Sequence, residues 1–334
     1  MESLRKRSFI KISDFSYEEI NYLLELAAEL KQAKKERREK QFLKDKHIIL
    51  LFEKDSTRTR SAFEVASSDQ GATTTYISPA SSPMGKKESM KDTARVLGRM
   101  YDGIEYRGFS EKTVEILSEY SGVPVWNGLT DNAHPTQTLA DLLTMKEHSR
   151  KPLEQIKICY IGNARNNVTN SLMLGCLTMG MDFRIAAPTT YRPIEEVMEA
   201  ACKITDTGRG RLTVTDNIVE AVKGCDYLYT DVWLSMGEDE TRWDERIRLL
   251  EPYRVTRKIM EATGNSHCKF MHCLPAFHNT DTKAGMAIYH KFGIREMEVT
   301  DEVFESDASI VFDQAENRMH TIKAVMVATL RNEY

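Results

Sequence analysis

The sequence lacks three features that would each assign it to a broad class of protein. No apolar run approaches the roughly 20 residues needed to cross a bilayer, and Ile-Ile-Leu-Leu-Phe at 48–52 suits a buried strand instead. The net charge is −4, so no overall positive field indicates a nucleic acid or an acidic membrane as partner. The N-terminal segment carries basic residues without an apolar core, so no secretory signal is predicted.

Cysteine pairing is also missing. The six cysteines show no Cys-x-x-Cys spacing and no small-scaffold density: they are Cys159, Cys176, Cys202, Cys225, Cys268 and Cys273. Free thiols in a reducing compartment are therefore expected. Together with the missing secretory signal, this predicts a cytoplasmic protein.

Two nucleotide-binding motifs do not occur. The sequence has no Gly-x-x-x-x-Gly-Lys-[Ser/Thr] segment, so P-loop binding is unsupported. After a predicted strand at 156–161 the chain continues Gly162-Asn163-Ala164-Arg165, without Gly-x-Gly-x-x-Gly. A nicotinamide-dependent dehydrogenase is disfavoured on that ground. A phosphate site in this chain is expected to accept a small ligand.

What the sequence does contain is an alternation of apolar strand patterns and amphipathic helix patterns. Strands are predicted at 47–53, 73–78, 103–108, 124–127, 156–161, 183–187, 226–230, 268–273 and 309–312. Helices are predicted at 16–34, 57–69, 87–101, 111–121, 134–148 and 314–331. Alternating strands and helices build parallel sheets.

The length of 334 residues is too great for one ordinary core. We predict an α/β fold with two doubly wound parallel-sheet domains of similar size, 1–150 and 151–313, joined by interdomain helices. The C-terminal helix at 314–334 is expected to pack back on the first domain. Ligands of such folds lie beyond the carboxyl ends of the strands, and the active site is expected in the cleft between the domains.

The first candidate site follows the strand at 47–53, where Asp-Ser-Thr-Arg-Thr-Arg at 55–60 opens a helix. Hydroxyls and free backbone N–H groups at a helix N-terminus form an anion site, and guanidinium groups suit phosphate. An ordinary N-cap with two solvated arginines explains the same residues equally well. Arg107, at the end of another strand, either converges on the same anion or is structural.

A second candidate segment, His-Pro-Thr-Gln at 134–137, opens a helix with proline in its favourable first turn. His134 and Gln137 can donate to a carbonyl oxygen without bringing a full charge, although helix capping is the simpler role. Near the C-terminus, Arg318 either reaches the same site or pairs with Glu316.

Two segments in the second half of the chain also contain candidate site residues. Asp231 follows a predicted strand, where a carboxylate is a natural partner for a substrate ammonium. His-Cys-Leu-Pro at 272–275 can present the Cys273 thiol and the Leu274 carbonyl. Adjacent strand residues point to opposite faces, so a nucleophilic pair of Cys273 with His272 is not expected. A His/Cys metal site stays open, without ligand spacing to support it.

In this order, the segments resemble the aspartate/ornithine carbamoyltransferase family over nearly the whole chain. The resemblance rests on Ser-Thr-Arg-Thr-Arg at 56–60, His-Pro-Thr-Gln at 134–137, His-Cys-Leu-Pro at 272–275, Lys-Asp-Thr-Ala-Arg-Val-Leu at 91–97 and Asp-Gln-Ala-Glu-Asn-Arg at 313–318. Asp231 with Ser-Met-Gly-Glu at 235–238 is similar to the family's ornithine-specific loop. The resemblance implies transfer of the carbamoyl group of carbamoyl phosphate to the side-chain amine of L-ornithine.

The resemblance also implies a role for each candidate residue, with no metal and no organic cofactor. The phosphate is expected on Ser56, Thr57, Arg58, Thr59 and Arg107. The carbamoyl group is expected to contact Arg107, His134, Gln137, Thr59, Cys273, the Leu274 carbonyl and Arg318. Ornithine is expected on Asn167, Asp231, Ser235 and Met236, with Asp231 on the α-ammonium. The implied catalytic residues are Arg107, His134, Gln137, Asp231 and Cys273.

The family is built from catalytic trimers, so the resemblance implies a homotrimer, with assembly beyond the trimer open. A loop from the neighbouring subunit, here residues 81–87, is expected to reach each active site. Pro83 stands where a glutamine is usual, and we hypothesise that Lys86 compensates. Asn163 replaces a usual aspartate, which is expected to alter a structural hydrogen bond more than the chemistry.

Two other interpretations stay open. The chain could be a carbamoyltransferase for another amine, or a non-catalytic relative that acts as a binding or assembly subunit. Every signature donor is present, which disfavours the second. The sequence does not fix the physiological direction, because one active site serves both arginine synthesis and, run backwards on citrulline, arginine breakdown.

Overall fold

The computed structural model of the protein describes residues 2–78, 88–234 and 243–331. The chain divides into two compact units. The first comprises Met1–Glu147 and Ala315–Tyr334, and the second comprises His148–Gln314. Within the described ranges, every helix is too short or too polar to cross a membrane.

The first unit is built on four strands: β1 (His47–Phe52), β2 (Thr73–Ile77), β3 (Gly103–Arg107) and β4 (Val125–Leu129). They form one parallel sheet in the order β2-β1-β3-β4. The helices between and around them are α1 (Tyr17–Lys35), α2 (Thr57–Asp69), α3 (Met90–Met100), α4 (Glu111–Ser121) and α5 (Pro135–His148). Strand β1 is buried from its second residue onward, as expected for a strand covered on both faces.

The second unit has five strands: β5 (Lys157–Ile161), β6 (Asp182–Ala186), β7 (Arg211–Thr215), β8 (Tyr227–Thr230) and β9 (Lys269–His272). They are parallel, in the order β7-β6-β5-β8-β9. Its helices are α6 (Asn167–Thr178), α7 (Glu195–Thr205), α8 (Ile218–Val222), α9 (Trp243–Leu250), α10 (Arg257–Ala262), α11 (Lys283–Phe292) and α12 (Asp301–Phe304). Each unit thus has the predicted parallel α/β architecture.

The C-terminal helix α13 (Val311–Leu330) contacts the first unit along most of its length. The Lys323 ammonium is fully buried and pairs with the carboxylates of Glu39 and Asp69. The indole N–H of Trp126 donates to the Thr329 hydroxyl at 3.1 Å. Because removing one partner of a buried ion pair costs about 3–5 kcal/mol, the Lys323 pairs fix the helix on this unit.

Two predictions about elements of the second unit were wrong. The strand expected at 309–312 is a single bridge between Phe270 and Ser309, because the chain enters α13 at Val311 and leaves no room for a ladder. Strand β7 was not predicted. It lies at the sheet edge with half-exposed residues, so it lacks the apolar run of a buried strand.

Candidate active site

In the first unit, the strand order reverses between β1 and β3, which opens a crevice at the carboxyl ends of those two strands. Strand β1 leads to Ser56 and helix α2, whereas β3 ends at Arg107. The next strand, β4, leads to His134 and helix α5. Three predicted segments therefore lie at one edge of one sheet.

The start of α2 has the geometry of a capped helix. The Ser56 hydroxyl is the N-cap and accepts a hydrogen bond from the Thr59 backbone N–H at 3.2 Å. Thr57 is exposed at the first helical position, while Thr59 is fully buried on the inner face. The N-cap interpretation is thus correct for Ser56, and it leaves the backbone N–H groups of the first turn aimed beyond the sheet edge.

The two arginines of this motif differ in environment. Arg58 is half-buried. Arg60 is exposed, donates to the Glu64 carboxylate at 2.9 Å and lies over the Tyr76 ring at 3.9 Å from its centroid. The solvated-arginine interpretation therefore holds for Arg60.

Thr59 is the point where two other arginines meet. Its hydroxyl lies 3.3 Å from Arg107 Nη1 and 3.0 Å from Arg318 Nη2. Arg318 is buried and also donates to the Thr136 hydroxyl at 3.4 Å. The alternative partner proposed for Arg318, Glu316, accepts from the His320 ring instead. Arg107 therefore lies at the helix start, and its convergence on an anion there stays a prediction.

Gln137 is held by contacts at both ends of its amide. Its Nε2 donates to the buried Asp141 carboxylate at 2.8 Å, and its Oε1 accepts from Arg318 Nη1 at 3.3 Å. The first contact lies one helical turn along α5, so the side chain is fixed before any ligand arrives. Fixed donors of this kind avoid reorganisation during a reaction.

His134 is buried beside the three arginines at the start of α5. Burial lowers the pKa of its imidazole well below the ordinary value, and the positive charges of Arg318, Arg107 and Arg58 lower it further. His134 is therefore neutral at physiological pH. It can donate one hydrogen bond without adding a charge.

A titration of His134 tests this directly. We expect its imidazole NMR signals, assigned by comparison with His134→Gln, to stay constant from about pH 8 to about pH 6, since an unperturbed histidine titrates near 6.5. The folded pKa lies below the unfolded one, so the contribution of His134 to stability is lost as pH falls below about 6.5. A titration midpoint close to 6.5 would contradict the assignment.

In the second unit, the strand order reverses between β5 and β8. Asn167 is the first residue of α6, after β5, and Asp231 directly follows β8. Cys273 follows the neighbouring strand β9. The predicted residues of this half therefore lie beyond the carboxyl ends of three adjacent strands.

The turn before α6 is held by its own hydrogen bonds. The Asn166 side chain caps the helix by accepting from the Thr169 N–H at 2.8 Å. Asn163 Oδ1 accepts from the Arg165 N–H at 3.1 Å, and the Asn163 carbonyl accepts from the Tyr160 hydroxyl at 3.0 Å. Asn163 thus makes a structural contact inside the turn.

Asp231 and Cys273 are in direct contact. The thiol donates to Asp231 Oδ1 at 3.2 Å, and the same oxygen accepts from the Val232 N–H at 2.8 Å. Burial raises the pKa of the Asp231 carboxyl, while the His272 ring, the Cys273 thiol and the Val232 N–H lower it. A buried carboxylate gains from binding a cationic group.

The expectation that His272 and Cys273 point apart was wrong. Strand β9 ends at His272, and Leu274 has a left-handed backbone with φ of 59°, so strand alternation does not continue through Cys273. The His272 ring nevertheless has its own contacts. Its Nδ1 accepts from the Leu274 N–H at 2.9 Å, and Nε2 lies 3.3 Å from the buried Glu298 carboxylate.

One consequence is a compact set of possible metal ligands. One donor atom from each of Asp231, His272 and Cys273 lies within 4.8 Å of the others. This donor set suits a transition metal. The expectation of a reaction without metal stays a prediction.

Some predicted residues cannot be placed. Ser235 and Met236 lie outside the described residues, and so does the loop 81–87 with Pro83 and Lys86.

Three further residues interact with the candidate site residues and were not predicted. Thr136, which contacts Arg318, lies within the candidate segment 134–137 but was given no role of its own, and Asp141, which holds Gln137, lies in an apolar helix pattern. Glu105, two residues before Arg107, is fully buried. A glutamate inside an otherwise apolar strand could have indicated a functional or paired carboxylate, because glutamate is rarely fully buried without a partner.

Two parallel α/β units, each with polar side chains beyond the carboxyl ends of its strands, have the architecture of an α/β enzyme. The chain belongs to the aspartate/ornithine carbamoyltransferase family. Residues 7–147 match the family model of the carbamoyl-P binding domain, and residues 154–329 match that of the Asp/Orn binding domain. The second model extends along α13, although in the structure that helix packs on the first unit from Ala315 onward.

Individual relatives match over nearly the whole length of this chain. An ornithine carbamoyltransferase of Staphylococcus aureus strain Newman is 60% identical over 330 residues, covering 99% of both chains. A solved ornithine carbamoyltransferase from Pyrococcus furiosus matches with a TM-score of 0.88 at 37% identity over 98% of both chains. A solved anabolic enzyme from Campylobacter jejuni matches with a TM-score of 0.85 at 34% identity, covering 96% of this chain and 97% of its own.

Proposed function

We propose that this protein transfers the carbamoyl group of carbamoyl phosphate to the side-chain amine of L-ornithine, giving L-citrulline and phosphate. The observation that carries the proposal is the meeting of Arg107 and Arg318 at Thr59, at the capped start of α2. Thr59 and Arg107 lie within residues 7–147, which match the carbamoyl-P binding model, and Arg318 belongs to the same compact unit. The second unit supplies the buried carboxylate that an amino-acid ammonium requires.

The phosphate end of the substrate binds at the start of α2. Backbone N–H groups and the hydroxyls of Ser56, Thr57 and Thr59 donate to its oxygens, and the helix dipole favours the negative charge there. Arg58 and Arg107 add planar charged donors, which bind phosphate oxygens in pairs.

The carbamoyl end is bound by neutral and charged donors together. Arg107, His134 and Thr59 donate to the carbonyl oxygen, and Gln137 and Arg318 complete the cluster. Attack by an amine places negative charge on that oxygen, which the same donors stabilise as an oxyanion hole does. Loss of one such donor typically costs about 10²–10³ in rate.

The second unit binds the amino acid. Asp231 accepts the α-ammonium, and Cys273, in contact with Asp231, lies next to the reacting amine. The Leu274 carbonyl accepts from the carbamoyl NH2. Asn167, Ser235 and Met236 bind the α-carboxylate and the adjoining backbone of ornithine.

The reaction is a direct attack of the amine on the carbonyl carbon, without a covalent enzyme intermediate. An aliphatic amine has a pKa near 10.4 and attacks only when neutral, so desolvation and the neighbouring cations must lower that pKa. The amine nitrogen forms a bond to the carbonyl carbon, giving a tetrahedral intermediate. The bond to the phosphate oxygen then breaks, and the departing phosphate accepts the proton of the amine.

Product analysis with carbamoyl phosphate and one candidate acceptor at a time tests the proposal. We expect product with L-ornithine and none with putrescine, lysine or aspartate. Product with a different amine alone would assign the chain to another acceptor, and no product with any of them would support a non-catalytic relative. Saturation curves for both substrates bear on direction, since marked cooperativity favours a catabolic role.

We further propose a homotrimer in the cytoplasm, on the strength of the family resemblance and the free cysteines. Light scattering during size-exclusion chromatography is expected to give three times the chain mass or a multiple of it. A monomer would contradict the proposal.

A further inference from the structure

The mechanism leaves one buried acid of the first unit unused. Glu105 lies in the middle of β3 with no solvent exposure. Neither of its carboxylate oxygens has a hydrogen-bond partner among the residues that the structure describes. A buried carboxylate is ordinarily paired or hydrogen-bonded, because its ionised form loses much hydration energy.

Glu105 lies behind the proposed phosphate site. It shares a face of β3 with Arg107, since the two are separated by one residue of a strand. Its carboxylate fills the space beside Gly128 of β4: a Cβ there would fall 2.0 Å from Glu105 Oε1 and 3.3 Å from the Thr59 methyl group. The carboxylate is thus next to the threonine at which both arginines meet.

The charges that act on Glu105 come from three elements. Arg107 on its own strand and Arg318 on α13 favour the ionised form, whereas burial opposes it more strongly. The Tyr76 phenol on β2 is near enough for the carboxylate to raise its pKa. Thr59 on α2 and Gly128 on β4 contribute no charge. Burial therefore holds the pKa of Glu105 well above its ordinary value.

We propose that Glu105 takes up a proton from solvent when the phosphate of carbamoyl phosphate binds to Arg107. This inference rests on the proposed function. Above its raised pKa, Glu105 is a carboxylate in the empty enzyme, and the two guanidinium groups partly compensate its charge. A bound dianion takes over that compensation and adds a negative charge nearby, which favours the neutral acid. The proton taken up by Glu105 thus offsets one of the two negative charges that the dianion brings to the site.

Proton uptake makes substrate affinity depend on pH. Binding coupled to one proton weakens about tenfold for each unit of rising pH where Glu105 is ionised in the empty enzyme, because one pH unit corresponds to a tenfold change in an equilibrium constant. Glu105→Gln keeps the shape of the side chain and cannot titrate. The affinity of this variant for carbamoyl phosphate is therefore expected to lack this pH dependence.

Isothermal titration calorimetry with freshly dissolved carbamoyl phosphate measures the uptake. Titrations in buffers of different ionisation enthalpy, repeated at several pH values, give the number of protons bound per ligand. We expect the full-length wild-type protein to take up more protons than Glu105→Gln, with a difference that approaches one. The exposed acid Glu115 provides a matched control, and Glu115→Gln is expected to equal the wild type.

Infrared difference spectroscopy of the wild type gives a test that does not depend on the folding of a variant. Ligand binding is expected to produce a protonated-carboxyl C=O band that shifts in D2O. No such band, or equal proton uptake by wild type and Glu105→Gln, overturns the inference. If citrulline is still formed in that case, the inference fails alone; if no amine is carbamoylated, the proposed function fails.

Discussion

Replacing Asp231 by asparagine is expected to lower kcat/KM for ornithine by about 10²–10³. Loss of one partner of a buried charge pair costs about 3–5 kcal/mol, and each 1.4 kcal/mol corresponds to a tenfold change. Asparagine has nearly the shape of aspartate and can still accept from the Val232 N–H and the Cys273 thiol. The loss would therefore report the missing charge. Steady-state kinetics with ornithine varied at saturating carbamoyl phosphate measure it.

The control for this variant is Asp216→Asn, which changes an exposed acid of the same unit. Surface changes of this kind usually alter a free energy by less than about 0.5 kcal/mol, so an effect of about twofold or less is expected. Carbamoyl phosphate binding to Asp231→Asn should also stay close to the wild-type value. An equal loss of affinity for both substrates would show that Asp231 supports the fold more than it binds ornithine.

The contacts of His272 explain why Cys273 is not expected to act as a nucleophile. An activated thiol needs a neighbouring base. The His272 Nδ1 atom is occupied by the Leu274 N–H, and the thiol donates to the Asp231 carboxylate. A carboxylate that accepts from the thiol opposes thiolate formation, because both would then be negative. These contacts give Cys273 no partner that would activate it as a nucleophile, in keeping with the proposed reaction without a covalent intermediate.

The sequence allowed the fold to be predicted where apolar patterns were strong. The run at 48–52 is a central strand buried on both faces, and this burial explains why all five of its residues are apolar. Strand β7 was not predicted because it is an edge strand with half-exposed residues and lacks an apolar run. The strand predicted at 309–312 was wrong because Ile310 and Val311 are apolar for another reason: they are buried at the start of a helix. A short apolar run does not by itself distinguish a strand from a buried helix end.

The candidate site was partly predictable for a related reason. The candidate residues Arg107 and Asp231 stand at the end of a strand and directly after one, and that position marks them in the sequence. Residues that contact these groups without standing at a strand end have no comparable signal in the sequence. Asp141 holds Gln137 from the next helical turn, and Glu105 adds a buried charge behind Thr59. Both act through tertiary neighbours, which a single sequence does not display.

Replacing Arg107 is expected to separate charge from geometry at the phosphate site. Arg107→Gln removes the charge and most donors, and we expect kcat/KM for carbamoyl phosphate to fall by about 10³, at the upper end of the effect of losing one oxyanion donor. Arg107→Lys keeps the charge but not the planar pair of donors, so it should recover only a small part of the loss. Initial rates at varied carbamoyl phosphate measure both variants.

Arg60 offers a matched control for Arg107. It belongs to the same unit and lies in the conspicuous motif after β1, yet its guanidinium pairs with Glu64 at the surface. Exposed ion pairs of this kind contribute little, so Arg60→Gln should keep nearly full activity. If Arg107→Lys recovered wild-type rates, a point charge would suffice and the proposed fork of donors would be wrong. If Arg60→Gln lost as much activity as Arg107→Gln, the anion would bind on the outer face of α2, away from Thr59, His134 and Arg318.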